Sequence, residues 1–101
     1  MEEKLLSQLS ENILTEKLQL SVMQGLISAE ISMKRQELGM SRKEFAEKAH
    51  VSQSTVLKWE SGDCNYSLLT LVHIASILGM ELQIPFSRKE DMNDIRNRKN
   101  V

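Results

Sequence analysis

Residues 41–62 read SRKEFAEKAHVSQSTVLKWESG, from Ser41 to Gly62. Ser41 is suited to cap a helix, and Glu44 three residues later completes a capping box. Phe45 and Ala49, with Ala46 beside them, mark the inner side of that helix. Ala49-His50-Val51-Ser52 then breaks the pattern. Ser52 caps a second helix in which Val56 and Trp59, three apart, point inward. Gly62 ends it. Two short helices joined by a turn of about three residues form a helix-turn-helix. Each residue type has a reason: Ala46 is small where the helices cross, and Val51 plugs the core at the turn. What remains outward on the second helix is short and polar: Gln53, Ser54, Thr55 and Lys58. Such side chains can reach base edges in a major groove. Any antiparallel helical hairpin shares one or two of these features. Their joint register selects the helix-turn-helix.

Working outward, Leu5, Leu6, Leu9, Ile13, Leu14 and Leu18 recur at three- and four-residue spacings. They predict an amphipathic helix, or two short ones, within residues 3–20. Ser21 with Gln24 reads as the capping box of a new helix running to Leu38, with Ile27, Ile31 and Leu38 on one side and Gly39 as its stop. Beyond the quoted stretch, Asp63-Cys64-Asn65-Tyr66 reads as a loop. Ser67 caps a fourth helix containing Leu68, Leu71, Val72, Ile74, Ala75 and Leu78, closed by Gly79. Glu81 to Phe86 alternates polar and apolar, a strand signal. The expected organisation is an N-terminal amphipathic helical segment over 1–20, a helix-turn-helix domain over 21–86, and a flexible polar tail over 87–101.

The bulk numbers agree with a small helical protein. Of 101 residues, 41% are hydrophobic, 27% charged and 4% aromatic, with one proline and four glycines. That mixture suits helices better than a many-stranded sheet. The single cysteine, Cys64, has no internal disulfide partner, which fits a reducing compartment. No run of 18 or more apolar residues predicts a membrane span, and Met1-Glu2-Glu3-Lys4 lacks a signal-peptide pattern, so a cytoplasmic location is expected. The net charge of −1 does not advertise a nucleic-acid partner. Residues 1–24 hold four glutamates against two lysines, 25–86 seven acidic against six basic side chains, and 87–101 three acidic against five basic. A helix-turn-helix needs only a local basic face.

Catalytic and metal chemistry find little support. His50, His73 and Cys64 do not form the paired ligand spacing of a zinc site. No glycine-rich phosphate loop is present. His73, in an apolar helical run, reads as a partly buried structural histidine, and Cys64 as an incidental loop residue. No enzyme, cofactor or metal is expected.

With Arg35, Gly39-Met40-Ser41, Glu60-Ser61-Gly62, Ser67-Leu68-x-x-Leu71 and Leu78-Gly79 in place, residues 31–84 resemble the Cro-like, phage-repressor (XRE) helix-turn-helix proteins. The resemblance implies an all-α, lambda-repressor-like bundle, here with an N-terminal amphipathic helix and a short C-terminal strand added. It also implies that Gln53, Ser54 and Lys58, with Thr55 less firmly, contact DNA bases. Arg42, Ser52 and Ser61 would meet the DNA backbone. Two residues depart from the family pattern. Arg42 stands where glutamine is usual, and His50 stands where glycine is common because the turn needs positive φ.

The flanking segments resemble those of HigA-type antitoxins, which neutralise RelE/HigB-like ribonuclease toxins and repress their own operon. On that resemblance Leu5, Leu9 and Ile13 would bind the toxin. One recognition helix spans few base pairs, so a homodimer on a double-stranded operator is expected. Leu82, Ile84 and Phe86, on one side of the strand, are candidates for its contact. A stand-alone repressor and a protein-interaction adaptor without DNA binding are the alternatives.

Overall fold

The computed structural model describes residues 2–83 together with 86 and 87. Four helices follow in order: α1 (Glu2–Glu37), α2 (Arg42–Ala49), α3 (Gln53–Trp59) and α4 (Leu68–Ile77). Each of the last three begins on the serine read from the sequence. Ser41, Ser52 and Ser67 hold extended backbone angles and accept the N–H of Glu44, Thr55 and Thr70. Each serine thereby satisfies one of the N–H groups that a helix start leaves without a partner.

α1 and α4 end alike. At Gly39, φ is 68° and the Met40 N–H donates to Arg35 O at 3.1 Å. At Gly79, φ is 67° and the Met80 N–H donates to Ala75 O at 2.8 Å. A left-handed residue with this bond turns the chain sharply and satisfies a terminal carbonyl. Both turns drive a methionine back toward the core, and Met40 is buried in it.

The core gathers Ile31 from α1, Phe45, Ala46 and Ala49 from α2, Val56 and Trp59 from α3, and Ile74 from α4, with Met40, Cys64 and Leu78 from the connections. The Phe45 and Trp59 rings pack tilted at 59°, centroids 5.8 Å apart, a favoured aromatic geometry. Val51 and Ile27 pack against this cluster, as the sequence led us to expect. Leu38 is instead exposed, lying beyond the last turn of α1.

Two sequence expectations need correction, and the C-terminal strand is not shown. Ser21 caps nothing: α1 runs unbroken through it for 36 residues. The Gln24 amide instead reaches across to donate to Asp63 O at 3.4 Å and Asn65 Oδ1 at 3.3 Å, partners 39 and 41 residues downstream that no local pattern shows. Cys64 is a buried core residue, not an incidental one. No strand forms among the described residues. Residues 81–83, 86 and 87 pair with no ladder, and a solitary strand leaves its backbone groups without partners. Leu82 is half-buried and Phe86 fully exposed, while Ile84 and the tail beyond residue 87 lie outside the described residues.

At 36 residues α1 is about 54 Å long, matching the longest dimension of the molecule, 55 Å. Only its C-terminal part joins the bundle. Every described side chain before Gln24 is exposed, including Leu5 and Ile13. The side chain of Leu9 lies outside the described set.

Candidate nucleic-acid interface

The α2–α3 turn depends on one backbone conformation. His50 adopts φ 57° and ψ 44°, the left-handed region, and its N–H turns back toward the carbonyls of Ala46 and Glu47. The Val51 N–H donates to Ala46 O at 3.0 Å. Side chains other than glycine adopt this region at a cost, histidine less than most. With α2 closed in this way, only three residues, 50–52, separate α2 from α3.

Within α3 the sides divide as the sequence implied. Val56 and Trp59 are buried, whereas Gln53, Ser54, Leu57 and Lys58 are exposed. Thr55 is half-buried, and its hydroxyl lies 2.9 Å from Ser52 Oγ. Ser52 Oγ also meets Ser54 Oγ at 2.9 Å, so the helix start is a small hydroxyl cluster. Ser61 Oγ donates toward Lys58 O at 2.7 Å or Asp63 Oδ1 at 2.6 Å, its one proton serving one acceptor at a time.

Two contacts that sequence reasoning missed hold the far end of α3. Arg35 Nε donates to Glu60 Oε2 at 3.0 Å and Nη2 to Glu60 Oε1 at 3.1 Å, while Nη1 donates to Met40 O at 2.9 Å. Both motif residues were visible in the sequence; their pairing was not. Arg42 Nε stands 3.6 Å from the same Glu60 oxygen. One buried carboxylate thus lies between two guanidiniums, and the group carries a net positive charge. Arg42 keeps about half of its side chain exposed.

The second contact centres on Ser28, a buried polar residue of α1. Its hydroxyl meets Trp59 O at 3.0 Å and Tyr66 OH at 2.7 Å, and accepts the Gly62 N–H at 3.0 Å. Tyr66 also donates to Trp59 O. Burial pushes the Tyr66 phenol above its usual 10.0, although the Ser28 hydrogen bond pulls it down. The one available signal was a serine among the inward positions Ile27 and Ile31. His73 is structural, as expected: it is half-buried, and Nε2 lies 2.8 Å from Ala49 O.

A capped, left-handed turn between two short helices, with the second presenting polar side chains outward, is the geometry of a DNA-reading unit. Residues 31–84 match the family model described as Helix-turn-helix. The chain belongs to the helix-turn-helix family, in its Cro (XRE) branch. No curated protein and no solved structure gives a match. The helix-turn-helix domain is that of DNA-binding transcriptional regulators, which are not an enzyme family. No helix among the described residues is long and apolar enough to cross a membrane. No group of three or more His, Cys, Asp or Glu residues among them is placed to hold a metal ion.

Proposed function

We propose that this helix-turn-helix protein is a sequence-specific regulator that binds a double-stranded operator as a homodimer, with α3 in the major groove. The observation that carries this reading is the division of α3, whose inward residues are locked in the core while Gln53, Ser54, Leu57 and Lys58 face solvent. Gln53, at the exposed start, has the paired donor and acceptor that match an adenine edge. Lys58 suits guanine or phosphate, and Ser54 either base type. Thr55 contributes less, its hydroxyl being engaged with Ser52. Arg42, Ser52 and Ser61 hold the DNA backbone.

The overall charge of −1 is no obstacle. Arg42 and Lys58 supply local positive charge, and affinity follows the number of phosphates neutralised. The test is a salt-titrated binding assay on an operator selected from random sequence. Specific DNA should bind about a thousandfold more tightly than random DNA. Equal affinity for both, or none for either, refutes the reading.

A second reading concerns the free end of α1. Residues 1–24 carry four glutamates against two lysines, and Leu5 and Ile13 stand exposed. An acidic helix with apolar side chains of this kind fits a groove on a basic partner, such as a RelE/HigB-like ribonuclease toxin. Leu5, Leu9 and Ile13 then form the contact, and the protein acts as an antitoxin that represses its own operon. Leu5→Glu with Ile13→Glu should leave operator binding intact and abolish rescue of cells expressing the neighbouring gene. Full rescue by that variant rejects the antitoxin role.

A further inference from the structure

A different side of α1 is also exposed among the described residues. Leu14, Leu18, Val22 and Leu26 follow one another at four-residue intervals, a row along one side of a helix. Met33 lies over the same side. All five are exposed. The row crosses Leu18–Ala29, twelve consecutive residues without a charge, bounded by Lys17 and Glu30. A surface helix of a lone monomer carries charge on its outer side. This stretch carries apolar side chains there instead.

We propose that this side is covered by α1 of a second copy, laid antiparallel about a two-fold axis at the Met23–Gln24 step. The residue pattern is self-complementary in this register and orientation. Leu18 meets the partner's Ala29, Val22 meets the partner's Gly25, Leu26 meets the partner's Ser21, and Leu14 meets the partner's Met33. Large side chains therefore face small ones along the middle of the contact, as close helix packing requires. The uncharged stretch falls on itself and the charged flanks fall outside it. A parallel pair would set Glu11 and Glu16 against their own copies and align the two helix dipoles unfavourably.

Gly25 fits the same account. Glycine is a poor residue for a helix interior, yet among the described residues nothing beyond its own stretch of helix comes within 4 Å of where its Cβ would be. The close approach that a glycine permits comes from outside the monomer. The contact, about 30 Å long, falls near the lower limit of specific dimers, on the order of 1,200 Å² in total. Leu5 and Ile13 sit on another side of the helix and stay free, so this pairing leaves the α1 ends open to a different protein.

Sedimentation of the full chain without DNA tests the pairing independently of operator binding. The native protein should associate. Val22→Glu and Gly25→Leu should each raise the dimer dissociation constant more than about tenfold, with helical content and melting of the monomer retained. A spin label at Asn12→Cys, in a Cys64→Ala background, should give a label separation of about 35 Å for the antiparallel register and about 10 Å for a parallel one. A monomeric native protein, unchanged association of both variants, or the short separation would each overturn the proposal. So would association that survives both substitutions and disappears when residues 84–101 are removed, which would move the contact to the C-terminal segment.

Discussion

Arg35 of α1 and Glu60 at the end of α3 form a two-pronged ion pair, at 3.0 and 3.1 Å, with only 3% of the Glu60 side chain exposed. Breaking a buried pair leaves one charge without compensation. Glu60→Ala should therefore lower stability by about 3–5 kcal/mol, read from the urea midpoint. Replacing both partners together, Arg35→Met with Glu60→Leu, should restore most of the loss. A double variant no better than the single one would assign the cost to something other than stranded charge.

Gln53 is the residue whose loss should alter choice of sequence. Gln53→Ala should weaken operator binding by about 1–3 kcal/mol and change random-DNA binding little. The two affinities, measured at one salt concentration, decide it. Parallel losses would make Gln53 a backbone contact.

Arg42 should behave in the opposite way. Its link to Glu60 is half-exposed and long, so the fold owes it little. Arg42→Ala should weaken binding to every DNA sequence and reduce the slope of log affinity against log salt by about one. A slope identical to that of the native protein removes Arg42 from the phosphate contacts.

Tyr66 sets an alkaline limit. Burial raises the phenol above its usual 10.0 in the folded chain, so the neutral form is favoured on folding. The associated stability is complete below the unfolded value, near pH 10, and fades as pH climbs through the raised folded value. Tyr66 is the sole tyrosine, and phenolate absorption follows it alone. Tyr66→Phe should flatten the fall of melting temperature above pH 10. An equally steep fall in that variant would place the titration elsewhere.

His50 carries strain that glycine would not. In the left-handed region a side chain costs roughly 1–2 kcal/mol, partly offset by the entropy glycine loses on folding. His50→Gly should raise stability by up to about 1 kcal/mol. Chemical denaturation gives the answer, and a loss of stability would show that the imidazole makes up for its backbone.

What was legible in the sequence was local. The three serine caps, the turn at His50 and the inward register of Val56 and Trp59 follow from residues within one or two helical turns. What was hidden connects distant positions. Ser28 meets Trp59 and Tyr66, 31 and 38 residues away, and Arg35 meets Glu60 across 25. The break placed at Ser21 failed for a related reason. A serine and a glutamine three apart satisfy a capping rule, but that rule does not register that the preceding turns are good helix. The alternation over Glu81–Phe86 is a pattern of side chains alone, and among the described residues it meets no strand whose backbone could pair with it.

On α3, the side chains of Gln53, Leu57 and Lys58 form no hydrogen bond to the rest of the described residues, while the helix is fixed from behind by Val56, Trp59 and the two anchors from α1. In the proposed DNA-binding role, reading and folding are thus written in separate letters of the same seven-residue helix. New operator preferences are open to exchange of those three letters with no repair needed elsewhere. The same separation makes the domain a blank on which the outward residues of another regulator can be transplanted.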